Sequence, residues 1–113
     1  MKLETKTSGN VTILELSGDA TDVSDSGLMR EAVHQLADQG KTKVVADLGK
    51  VGVMNSLGIG MLIASFTTLK NKGGDLKLAN ITDRIKSLLV ITRLLTVFGC
   101  YDSVNEAVRS FKK

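Results

Sequence analysis

The chain predicts an α/β fold, a layer of strands with a hairpin at one edge and helices crossing between the remaining strands by right-handed connections. Three observations carry this. Strand-like and helix-like segments follow one another in the order β-β-α-β-α-β-α-β-α. The segments are joined by short polar loops, as a closely packed domain requires. The stretch Val44–Ser65 reads as a buried strand, a tight polar turn and a helix that starts on a serine.

Each element has a local reason. Lys2–Lys6 reads as a first strand with Leu3 and Thr5 on one side, and Ser8-Gly9-Asn10 is a hairpin turn. Val11–Leu16 sets Val11, Ile13 and Glu15 against Thr12, Leu14 and Leu16, a strand with one face well buried. Ser17–Ser26 is polar and loop-like, and Ser24, Asp25 or Ser26 is placed to cap the next helix. That helix carries Leu28, Ala32, Val33, Leu36 and Ala37 on one face and stops at Gly40. Lys43–Leu48 is the central strand, with Asp47 interrupting its apolar run. Ser56–Asn71 is the second helix, with Leu57, Ile59, Met61, Leu62, Ile63 and Phe66 recurring at helical spacing, and Gly73-Gly74 ends it. Asp75–Ala79 is a strand with Leu76 and Leu78 on one face. Thr82–Thr92 is a third helix carrying Ile85, Leu88, Leu89 and Ile91, and Val97–Tyr101 is a short last strand. Ser103 caps a terminal helix that turns Val104, Ala107, Val108 and Phe111 inward.

Composition narrows the class. The 113 residues fit one domain spanning 1–113, with no repeat, linker or proline to divide it. Net charge is +3, and the basic residues are scattered. With three Phe, one Tyr and no Trp there is little for bases to stack on, so no direct nucleic-acid partner is expected. Cys100 has no second cysteine to pair with, and it reads as a small buried hydrophobe. The first ten residues lack a signal-peptide core, and no apolar run is long enough to cross a bilayer. These features predict a cytoplasmic protein with no membrane insertion. No large apolar stripe is left over once the core is assigned, so a monomer is expected.

The search for reaction chemistry returns little. His34 stands alone on a helix, with no nucleophile and carboxylate motif to complete a triad. Asp19, Asp22 and Asp25 recur every three residues but lack the calcium-loop pattern and its closing glutamate. Gly58-Ile59-Gly60 lacks the third glycine of a dinucleotide fingerprint, and no Walker-type phosphate loop occurs. Its glycines fall inside the helix, where small residues also permit close packing against the sheet. Met54 and Met61 read as core filler. The chain is therefore read as a non-enzymatic binding module with no cofactor and no metal.

Two readings of Ser56 stand side by side. A serine before a helix is most simply an N-cap, worth about 1 kcal/mol against alanine. A phosphate on the same hydroxyl would add about −1.5 to −2 charge units beside the positive end of the helix dipole. The fold would tolerate that charge there, while a partner docked over Ser56 would be repelled or obstructed.

At these residues the sequence resembles a known family. Asp47-Leu48, Val51 to Met54 and Asn55-Ser56-Leu57-Gly58-Ile59-Gly60 are similar to the signature of STAS domains, and more narrowly of bacterial anti-sigma factor antagonists. Their usual form at this point is Met-Asp-Ser-Ser/Thr-Gly-Leu-Gly. Leu16-Ser17-Gly18, Gly73-Gly74 through Leu78, and the segment from Ile81 to Ala107 extend the likeness over nearly the whole chain. The resemblance implies a STAS fold, a four- to five-stranded mixed sheet packed with about four helices. It implies binding to an anti-sigma factor that is also a serine kinase, which frees the sigma factor. It places phosphorylation by that kinase on Ser56, reversed by a serine phosphatase. The partner surface it implies contains Asn55, Ser56, Leu57, Gly58 and Met61, faced by Thr21 and Asp22.

The chain departs from the family pattern in the motif and in the facing loop, where Thr21, with Asp22 beside it, stands at a position that is commonly acidic in the family. Asn55 stands where the family has an aspartate, and Leu57 replaces the second hydroxyl residue. An asparagine side chain still satisfies turn hydrogen bonds. Two other functions are alternatives, the first of which fits these departures. One is an unphosphorylated STAS scaffold in a signalling or lipid-transport assembly. The other is a nucleotide- or small-ligand-sensing STAS domain, holding an anion on backbone N–H groups near Ser56.

Overall fold

The computed structural model describes residues 1–112. Its elements are β1 (Lys2–Ser8), β2 (Val11–Ala20), α1 (Val23–Asp38), β3 (Lys43–Met54), α2 (Ser56–Asn71), β4 (Asp75–Ala79), α3 (Asp83–Ile91), β5 (Gly99–Tyr101) and α4 (Val104–Ser110). The five strands form one mixed sheet in the order β1-β2-β3-β4-β5. Only β1 and β2 are antiparallel, closed by the Ser8–Val11 hairpin; the other neighbours are parallel. The predicted element order and the hairpin edge are both present.

Strand alternation divides the core between the two faces of the sheet. Leu14, Leu16, Val44, Ala46, Leu48, Leu76 and Leu78 face one side, where Val33 of α1, Leu62 and Leu69 of α2, and Ile85 and Leu89 of α3 cover them. Phe66 of α2 meets Phe98 edge-on at 5.2 Å, which closes this layer near β5. Val11, Ile13, Val45 and Ala79 face the other side, where α4 covers them with Ala107 and Val108. Lys77 points to the same side, with its ammonium 4.2 Å from the Phe111 ring and 2.6 Å from the Ser110 hydroxyl. Each fully buried Leu, Ile or Val contributes roughly 1.5–3 kcal/mol by its removal from water.

Four local expectations need correction. β2 and β3 run on past Leu16 and Leu48 as a paired arm, with Ser17 opposite Lys50, Gly18 opposite Val51 and Ala20 opposite Met54. The register shifts twice along this arm, and Gly18 takes a φ of +90° within it. Asp19 supports the ladder by accepting from the Val53 N–H at 3.0 Å. Helix α1 is capped by Asp22, with Asp25 completing a capping box, instead of by Ser24, Asp25 or Ser26. This earlier start turns Met29 into the core and leaves Leu28 outside. Ile91 is the last residue of α3 and is exposed. The last strand is limited to Gly99–Tyr101, because Val97 and Phe98 both donate to the Leu94 carbonyl in a turn.

Candidate functional site

The β2–β3 arm carries its two strands to one end of the sheet, where both chains leave for helices. There the loop Thr21–Asp22 and the residue Asn55 lie side by side. Asn55 is the N-cap of α2, and its Oδ1 accepts from the N–H groups of Leu57 at 3.0 Å and Gly58 at 3.3 Å. Its Nδ2 donates to the Thr21 carbonyl at 3.2 Å. One amide side chain thus caps the helix and ties it to the facing loop. An aspartate would keep the first task and lose the second, since a carboxylate has no N–H to give.

Ser56 is the first helical residue instead of the cap. Its side chain is exposed, and its hydroxyl has no hydrogen-bond partner among the described residues. The capping explanation of this serine is therefore replaced: Asn55 does that work. No acidic side chain occupies the first turn of α2, so the positive end of its dipole is not compensated there.

The floor beneath this end is closely packed. Gly58 packs so closely on the arm that an added Cβ would lie 2.5 Å from the Ala20 carbonyl oxygen and 2.5 Å from Met54 Cγ. Met61 is only 4% exposed and lies below the surface, whereas Leu57 is 41% exposed and lies on it. Ser26 of α1 donates to the Leu57 carbonyl at 3.4 Å. Thr21, Asp22, Asn55, Ser56 and Leu57 are thus brought together at the surface, with Gly58 and Met61 supporting them from inside.

The three spaced aspartates are engaged with backbone. Asp19 holds Val53, Asp22 caps α1, and Asp25 accepts from the Thr21 N–H at 3.2 Å and the Asp22 N–H at 3.0 Å. Asp25 also pairs with the Met1 ammonium at 3.1 Å. That ammonium first, and then the Asp22 and Thr21 N–H groups, hold its carboxyl below the usual aspartate range against the opposing effect of burial. Among the described residues no three metal-ligating side chains gather in one place.

Two features of this end are not legible from spacing. The cap assignment depends on where the helix axis begins, which one residue of shift decides. The contact between Asn55 and Thr21 joins positions 34 residues apart in the chain. The only sequence signal for it is that asparagine favours caps and turns.

An Asn55→Ala variant is expected to lose about 2 kcal/mol of stability, the cap contributing about 1 kcal/mol and the Thr21 bond a similar amount. Asn55→Asp is expected to lose less, because its carboxylate still caps and favours the helix dipole. Urea denaturation of both variants beside the parent chain checks this order.

Comparison with known proteins places this geometry in context. The profile of the STAS domain matches residues 2–107. The anti-sigma-B factor antagonist of Bacillus subtilis (strain 168) is 32% identical over 94 residues, 83% of this chain and 84% of that protein. The crystal structure of an anti-sigma factor antagonist from Mycobacterium paratuberculosis superposes with a TM-score of 0.86 at 18% identity, covering 99% of this chain and 94% of that one. The anti-sigma factor antagonist SpoIIAA of Bacillus superposes in its unphosphorylated form with a TM-score of 0.75 at 15% identity, over 96% of each chain. Its phosphorylated form superposes with a TM-score of 0.77 at 16% identity, over 97% of this chain and 99% of that one.

Proposed function

The chain belongs to the STAS domain family, and from that premise we propose that it is an anti-sigma factor antagonist switched by phosphorylation of Ser56. In this reading it binds an anti-sigma factor that is also a serine kinase, and the sigma factor is released. The kinase then phosphorylates Ser56, the complex parts, and a serine phosphatase restores the binding form. The exchange takes place in the cytoplasm. The chain itself supplies a surface and a hydroxyl, and no reaction chemistry.

One observation supports this most strongly. Ser56 is exposed at the first position of α2 while Asn55 bonds the N–H groups of Leu57 and Gly58. The hydroxyl is thereby open to a kinase, and modifying it removes no bond that the fold uses. The added charge would lie at the positive end of a helix, where an anion is stabilised by roughly 0.3–1 kcal/mol. The effect of the phosphate is accordingly on the partner. Leu57 is exposed beside Ser56, and Asn55 ties Thr21 to the same end, so a protein docked over this end has to bury the phosphate or leave. Burying an unpaired dianion is far costlier than leaving.

The test uses the immobilised chain loaded with its anti-sigma factor. Adding ATP is expected to release the partner and to leave phosphate on Ser56, while Ser56→Ala keeps the complex in ATP. Release without phosphate on Ser56, or release from the Ser56→Ala chain, overturns the reading.

A further inference from the structure

The geometry points to a binding site for a small aliphatic carboxylate in the groove between α1 and α2. The groove has a volume of about 250 Å³ and runs from Ser56 along the seam of the two helices. Its interior surface is apolar, with Val33 of α1 and Met61 of α2 buried at the bottom and Leu57 and Ala64 along one wall. Ser65 is also buried there, and its hydroxyl already donates to the Met61 carbonyl at 2.9 Å. The apolar side chains therefore offer contact to an alkyl chain, while the Ser56 and Thr68 hydroxyls, which also line the groove, have no hydrogen-bond partner among the described residues.

The rim has the opposite character. Arg30 and His34 stand one helical turn apart on α1, exposed and lining the groove. Arg30 has no ion pair among the described residues. No aspartate or glutamate lines the groove. Glu31, the nearest carboxylate along α1, lines a neighbouring, more open hollow that Arg30 and His34 also line. A guanidinium presents a planar fork that fits a carboxylate, and an imidazole adds at least one further N–H. The Arg30 cation over an apolar trough fits an amphipathic anion better than a cation. The volume of about 250 Å³ leaves room for a short alkyl chain.

The site adjoins the proposed switch. Ser56 and Leu57 line its mouth, so an occupied groove would cover part of the surface that a partner meets. Ligand binding itself needs no kinase and no phosphate. Its test therefore stands apart from that of the antagonist reading.

The probe is sodium hexanoate, titrated into the full chain and followed by amide chemical shifts. Saturable binding in the roughly millimolar range is expected, with shifts centred on Arg30, His34, Leu57, Gly60 and Ala64. Hexan-1-ol and hexylammonium are expected to bind at least tenfold more weakly. Arg30→Gln, an exposed change, is expected to weaken hexanoate binding by about tenfold or more, since it removes a charge-assisted pair. Gly60→Leu is expected to abolish it. An added Cβ at Gly60 meets open space, so the larger side chain extends over the groove without displacing the helix. No saturable shift, equal binding of hexan-1-ol, or unchanged affinity in Arg30→Gln overturns the assignment.

Discussion

Gly58→Ala is expected to destabilise the chain by about 2 kcal/mol, although alanine is the better helix former. In an open helix the exchange would stabilise by about 1 kcal/mol. Here the new Cβ falls 2.5 Å from the Ala20 carbonyl oxygen and 2.5 Å from Met54 Cγ. The methionine side chain can move aside, but the carbonyl belongs to a strand held by its ladder. Overpacking of this kind costs typically 1–3 kcal/mol and more where backbone has to shift. The expected net loss corresponds to a fall of roughly 8 °C in melting temperature for a domain of this size. Gly60→Ala, two residues on, is the control: nothing lies within 4 Å of its added Cβ, so it is expected to gain roughly 0.5–1 kcal/mol. Thermal melts of the two variants therefore move in opposite directions. Equal melting temperatures would show that α2 does not rest on the arm as described.

Ser56→Asp is expected to weaken binding of the anti-sigma factor by a hundredfold or more, while Ser56→Ala binds as the parent does. The asymmetry follows from where the side chain stands. Alanine removes a hydroxyl that bonds nothing among the described residues, so neither fold nor surface changes much. Aspartate places a charge beside Leu57 on the proposed docking surface, where a partner would have to desolvate it unpaired. Its fold is expected to be intact, because an acidic residue in the first turn of a helix is favourable. Calorimetry with the three chains, paired with melting curves within a few degrees of one another, checks both halves. Equal affinities of Ser56→Asp and Ser56→Ala would contradict the switch.

The sequence made the elements legible where pattern and punctuation agree. Alternation in Val11–Leu16 marks a two-faced strand, and the structure sends Leu14 and Leu16 to one core layer and Val11 and Ile13 to the other. Gly40 and Gly73, both at positive φ, end α1 and α2 where they were expected to. The arm beyond Leu16 and Leu48 was hidden because Ser17-Gly18-Asp19 and Gly49-Lys50 have turn composition. Their pairing comes from backbone in shifted register and from Asp19 bonding Val53, neither of which leaves an apolar alternation.

At the site, the motif was legible and its division of labour was not. Ser56 and Asn55 both have cap chemistry, and only the helix start decides between them. The structure gives the cap to Asn55 and so removes the simplest competing explanation for Ser56. The Arg30–His34 rim shows in sequence as an i, i+4 pair on α1. That it lies over Met61 and Ala64 depends on how two helices far apart in the chain pack on the sheet.

The central claim is that phosphate on Ser56 controls this surface, and it is tested most directly by phosphopeptide mass spectrometry on the protein from the cells that make it, growing and stressed. The tryptic peptide from Val51 to Lys70 contains Ser56, and also Ser65, Thr67 and Thr68, so fragment ions have to localise the phosphate. The account predicts phosphate on Ser56 in a proportion that changes with condition. An unmodified Ser56 in every condition would contradict it and leave a STAS module that binds its partners without a phosphorylation switch.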